Sequence, residues 1–98
     1  MRTKNLDGSI HISKEIINKS FYKNSEAFQL FCYISLNAEN VDGQFLLKTT
    51  FNEIQDDINM KQKVVRKNLM LLKDDGLIDY EIGYKKIMIS ITEGYVKE

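Results

Sequence analysis

The stretch FNEIQDDINMKQKVVRKNLMLLKDDGLI, Phe51 to Ile78, holds two amphipathic helical patterns and the break between them. Just before it, Thr50 stands three residues ahead of Glu53, the spacing of a capping box, and so predicts a helix start. Phe51, Ile54 and Ile58 recur at i, i+3 and i+7 and give that helix one buried stripe, leaving Glu53, Asp56 and Asp57 for the water side. Asn59 ends it, because Asn tolerates the left-handed conformation of a tight helix–helix turn. A second helix begins near Met60 or Lys61 and runs to Asp75, stopped by Gly76; at 1.5 Å per residue it spans about 21 Å. On it Val65, Leu69 and Leu72 form the buried stripe with Asn68 at its edge. Gln62, Lys63, Arg66, Lys67, Met70, Lys73 and Asp74 occupy the opposite arc, about 140° wide.

Beyond Gly76 the period changes from helical to alternating. Leu77 to Ile82 and Lys86 to Thr92 read as two strands, joined through Gly83, Tyr84 and Lys85: a β-hairpin. Upstream, Gln44 to Lys48 reads as a short strand and Asn37 to Gly43 as a loop. Before that loop, a helix capped by Ser25 runs to about Asn37. Eight of the ten residues from Ala27 to Leu36 are apolar, so this helix is either a central one or faces a partner subunit on one side. Ser13 can cap a shorter helix over Lys14 to Ser20, and Glu93 to Glu98 reads as a frayed end or a link to a further domain. Helix, short strand, short helix, tight turn, long helix, hairpin is the order of a winged helix-turn-helix. The expected fold class is therefore α+β, mainly helical, with a short strand and a C-terminal hairpin wing. A single domain over 1–98 is expected, with an N-terminal extension at 1–24, the core at 25–92 and a tail or linker at 93–98.

Composition narrows the function. The 98 residues balance 14 Lys and Arg against 14 Asp and Glu, with 43% hydrophobic and 29% charged residues. That mix is too apolar for a disordered tail and too evenly charged for a polycation. Cys32 and His11 are the only Cys and His, which leaves neither a disulfide framework nor a thiolate–imidazole zinc cluster. Cys32 lies inside the apolar run Leu30 to Ile34, where a thiol behaves as a small hydrophobe, and His11 alternates with Ile10 and Ile12 in what reads as a short strand or the lead-in to a helix, a lone His outside any catalytic motif. Asp56–Asp57 and Asp74–Asp75 are adjacent pairs that splay by about 100° on a helix rather than converging. No glycine-rich phosphate loop is present. A non-enzymatic protein is expected, with no catalytic residue, metal or cofactor; lacking a leader or spanning segment, it is expected in the cytoplasm and off the membrane.

With zero net charge, a nucleic-acid partner must be argued from where the cations sit. Lys63, Arg66 and Lys67 occupy the first turns of the long helix, whereas its acids wait until Asp74 and Asp75. The helix dipole favours the reverse, at about 0.3–1 kcal/mol per misplaced charge. Double-stranded DNA supplies a reason: Gln62 and Arg66 have the chemistry for base edges and Lys63 and Lys67 for phosphates. Tyr84, Lys85 and Lys86 at the hairpin turn, with Lys61 and Lys48 contributing more weakly, extend the expected interface. Against it stand Glu53, Asp56 and Asp57 on the preceding helix, and the apolar Met70 amid the arc, which suits a protein-binding surface.

Within Phe51 to Ile78, residues Ile54, Met60, Val65, Arg66, Leu69, Leu72, Asp75, Gly76, Leu77 and Ile78 resemble the helix-turn-helix core of bacterial and phage regulators and replication proteins. Together with Ile16 to Asn24, the apolar helix and the loop closing on Gly43, nearly the whole chain resembles the N-terminal domain of phage replication organisers and DnaD-type primosomal proteins. The resemblance implies DNA binding in replication initiation or transcription regulation. It also implies, as an alternative, a homodimer or an interaction module for a replication or regulatory protein. Two positions depart from the pattern: Gln55 replaces a small Ala at the helix crossing, and Lys61 replaces a Ser or Thr cap, leaving Asn59 as the expected cap of the long helix.

Overall fold

The computed structural model describes residues 11–12 and 24–97. In chain order they form β1 (His11–Ile12), α1 (Ser25–Asn37), β2 (Glu39–Val41), β3 (Gln44–Thr49), α2 (Phe51–Ile58), α3 (Gln62–Asp74), β4 (Ile78–Gly83), β5 (Lys86–Ile91) and β6 (Val96–Lys97). The result is an α+β structure: three described helices against a four-stranded antiparallel sheet of order β2-β3-β5-β4, with β1 and β6 paired separately. The helix expected over Lys14 to Ser20 lies outside the described residues.

Local chemistry accounts for the helix ends. Asn24, not Ser25, caps α1: its Oδ1 accepts from the backbone N–H groups of Glu26 and Ala27, both at 3.1 Å. Thr50 caps α2 as its spacing predicts, its hydroxyl accepting from Glu53 N–H at 3.0 Å. Asn59 sits at φ 55°, ψ 44° and closes α2, its N–H bonded to Gln55 O. It therefore cannot cap α3. Lys61 holds that place, and no side chain caps the helix. At the far end Gly76 adopts φ +79°; its N–H reaches Lys73 O at 2.9 Å and Leu77 N–H reaches Leu72 O at 3.0 Å, a Schellman closure that starts the turn into β4.

The segment expected as a loop from Asn37 to Gly43 holds β2, which pairs with β3 through Val41 opposite Gln44. Asp42 and Gly43 both take positive φ, 54° and 87°, the demand of a type I′ turn that matches strand twist. Residues 93–98 are likewise not a free tail as far as they are described: Val96 is 4% exposed and pairs with Ile12 across β6 and β1.

The core lies between the helices and one face of the sheet. Ile54 from α2, Val65, Leu69 and Leu72 from α3, Leu47 from β3 and Ile87, Ile89 and Ile91 from β5 are all buried. Each such side chain contributes about 1.5–3 kcal/mol on leaving water. The alternation on β5 puts Met88 and Lys86 on the other face. Helix α1 is covered within the chain: Ala27, Leu30, Phe31, Tyr33 and Ile34 are all buried, and it packs chiefly on α3. Its remaining apolar residues, Phe28, Cys32 and Leu36, are half-buried. Its inward polar groups are satisfied locally, Ser35 Oγ donating to Phe31 O (2.8 Å) and Asn37 Nδ2 to Tyr33 O (2.9 Å). Asn68, expected at the edge of the α3 stripe, is instead fully buried. Gln55 is exposed, so its length meets no helix crossing.

Candidate functional site

Helix α3 projects its polar arc outward because its apolar stripe is committed to the core. Gln62, Lys63, Arg66 and Lys67 are all exposed, as is Lys61 just ahead of the helix. The β4–β5 register sets Gly83 opposite Lys86 and so places Tyr84 and Lys85 at the hairpin turn, with Lys85 at φ 61° and Tyr84 87% exposed. The two elements converge. Gln62 and Arg66 from α3, Gly83, Lys85 and Lys86 from the hairpin, and Thr50, Phe51 and Asn52 from the start of α2 line one open groove of about 520 Å³. Of the eight residues expected in an interface, Gln62, Arg66, Lys85 and Lys86 share this groove. Lys61, Lys63, Lys67 and Tyr84 are exposed outside its lining. Lys48 is exposed too, opposite Met88 on the outer sheet face and away from the groove lining.

Arg66 is the most constrained of these cations. Its guanidinium lies over the Phe51 ring, 4.9 Å from the centroid. With the amide of Gln62 oriented oxygen-inward, that oxygen accepts from Arg66 Nη2 at 3.1 Å and Nε at 3.2 Å. Phe51, assigned by its spacing only to a buried stripe, is half-buried and forms the platform beneath Arg66. The periodicity that marks a residue as inward-facing carries no sign that its ring also supports a neighbouring helix.

The charges around the groove are unbalanced. Among the described residues, Lys61, Lys63, Arg66, Lys67, Lys85 and Lys86 make no ion pair. Lys73, at the far end of α3, does pair, 3.2 Å from Asp79; the Lys73 hydrogen bond and the Tyr80 backbone N–H hold the Asp79 carboxyl below its ordinary range. The amino end of α3 has neither an acid in its first turn nor a side-chain cap, so the positive end of its dipole adds to the cations there. Two acids of α2 expected on the water side are drawn inward. Asp57 is half-buried and accepts from the Tyr33 hydroxyl at 2.7 Å, and Glu53 is half-buried with its carboxylate 3.5 Å from the Thr49 hydroxyl. Asp56 alone of the three is exposed.

Elsewhere the surface has a different chemistry. A larger hollow of about 680 Å³ between the β2–β3 turn and residues 91–96 is lined by Asp42 and Glu93 and, among the described residues, by no cation. Cys32 is half-buried, and burial pushes its thiol pKa up, away from nucleophilic use. No described helix is long and apolar enough to cross a membrane. No family model, no curated protein and no solved structure matches the chain.

Proposed function

We propose that this chain is a winged helix-turn-helix domain that binds double-stranded DNA in a sequence-directed way. The observation that carries the reading is the groove joining the first turns of α3 to the β4–β5 turn, surrounded by cations without acidic partners. In this reading α2, the turn at Asn59 and α3 are the helix-turn-helix, β4–β5 is the wing, and β3 is the strand that the wing extends. The first half of α3 enters the major groove with Gln62 and Arg66 toward base edges, while Lys61, Lys63 and Lys67 neutralise phosphates. Tyr84, Lys85 and Lys86 meet the backbone or the minor groove alongside. The hydrogen bond that Asp57 accepts from Tyr33 supports the reading by tying one carboxylate of α2 toward α1. The resemblance of Phe51 to Ile78 to the helix-turn-helix core of phage and bacterial regulators and replication proteins supports a role for this binding in replication initiation or transcription control of a phage, plasmid or mobile element.

The test is fluorescence anisotropy of a labelled random-sequence duplex, with Lys63→Ala and Arg66→Ala beside the parent chain. Weaker binding in both supports the reading, and unchanged binding in both removes α3 from any DNA interface. One observation favours a second reading, an oligomerisation or protein-interaction module: Met70 is 58% exposed in the middle of the α3 arc. A dimer by light scattering that Met70→Lys dissolves supports it.

A further inference from the structure

We infer that Arg66 reads a guanine through its O6 and N7, with Phe51 and Gln62 as positioning residues; this rests on the DNA-binding reading above. A guanidinium carries five N–H donors in one plane. With its amide oxygen turned toward Arg66, Gln62 engages Nε–H and one hydrogen on Nη2, and the Phe51 ring covers one face. Three hydrogens remain, two on Nη1 and one on Nη2, and of these one on each nitrogen form the end of the fork, two near-parallel donors pointing outward from the braced edge. This is the donor pair that meets the two acceptors guanine presents in the major groove, a match no other base offers there.

The bracing separates Arg66 from the lysines around it. A phosphate contact needs a cation near an anion and tolerates many approaches, and Lys61, Lys63 and Lys67 supply cations with no described side-chain partner to orient them. A base edge needs donors fixed in a plane, and a side chain already fixed loses less rotamer freedom on binding. Arg66 is held by one group from its own helix, four residues back, and one from α2. The second is itself fixed by Thr50, whose cap starts α2 at Phe51. Fold and orientation are thereby linked: the α2–α3 packing that builds the core also aims the fork.

Selection of binding sites from a random duplex library is the first measurement, and a guanine at one position of the selected site is the expected result. Replacing that guanine by 7-deazaguanine, which lacks the N7 acceptor, lowers affinity about tenfold to a hundredfold for the parent chain. It has little effect on Arg66→Lys, in which the planar fork is gone and the charge kept. The ratio of selected-site to random-duplex affinity falls in Gln62→Ala and in Phe51→Leu, is retained in Phe51→Tyr, where the ring platform persists, and is unmoved by Lys73→Ala. A selected site with no fixed guanine, or an Arg66→Lys protein that keeps its preference, overturns guanine reading while DNA binding stands. A Gln62→Ala chain with the parent ratio overturns the positioning role. Failure of the parent chain to bind any duplex overturns the DNA-binding reading and this inference together.

Discussion

On the proposed DNA-binding reading, removing Lys63 and Lys67 together changes the salt dependence of binding by an amount that follows from the number of unpaired lysines around the groove. Five exposed lysines, Lys61, Lys63, Lys67, Lys85 and Lys86, flank the groove without an ion pair among the described residues. If each neutralises one phosphate, log K falls with log salt at about 0.9 per contact, a slope near −4.5. Affinity for a random duplex then drops about five-hundredfold between about 50 and 200 mM salt. The double variant Lys63→Ala/Lys67→Ala retains three contacts, a slope near −2.7, and loses only about fortyfold over the same range. Both side chains are exposed on a helix where Ala is at least as favourable as Lys, so the fold persists, as circular dichroism can check. Lys73→Ala is the control: that side chain is paired with Asp79 at the far end of α3, and its removal leaves the slope unchanged. Anisotropy titrations at several salt concentrations give the slopes. Equal slopes for the parent chain and the double variant refute the argument, as does a Lys73→Ala slope that falls by as much as theirs.

Other consequences concern stability and are read by urea or thermal unfolding. Leu69→Ala, at a fully buried site, costs about 2–5 kcal/mol, whereas Asn68→Ala beside it costs about 1 kcal/mol or less, because it also removes the buried Asn68 Oδ1 that has no hydrogen-bond partner. Equal losses at the two sites contradict this. Asn59→Ala puts a Cβ-bearing residue without Asn's local hydrogen bonding at φ 55° and lowers the melting temperature by about 4–8 °C, from a cost of about 1 kcal/mol, while Asn59→Gly stays near the parent value. Asp79 titrates below its ordinary range in the folded chain, so its stabilisation is present above the unfolded pKa and disappears as pH falls through the folded one. Asp79→Asn therefore shows a shallower loss of melting temperature on acidification, and a steeper one contradicts the Lys73 pairing.

What could be read locally came through largely intact. The Thr50 cap, the Asn59 turn, the Gly76 stop and the alternation of Ile87, Ile89 and Ile91 all depend on neighbours a few residues away, and α2, α3, β4 and β5 follow from them. The strand β2 was legible in principle, because Asp42-Gly43 is a two-residue turn signal, but the polar run around it reads equally well as a loop. The alternation of Ile10, His11 and Ile12 reads as a short strand or the lead-in to a helix, and β1 lies there, but its pairing with β6 joins residues more than eighty positions apart and has no local signature. The candidate site divides in the same way. Residue types along α3 and at the hairpin turn marked every cation in it, since an exposed arc follows from helical period alone. Sequence could not say that Gln62 and Arg66 share a groove with Lys85 and Lys86, that Phe51 underlies Arg66, or that Asp57 turns inward to Tyr33. The sequence by itself determined the elements and their polar faces, because capping, turn chemistry and periodicity act over a few residues. Only the tertiary structure decided which charges stand together, because that depends on strand register and on the packing of α2 against α3.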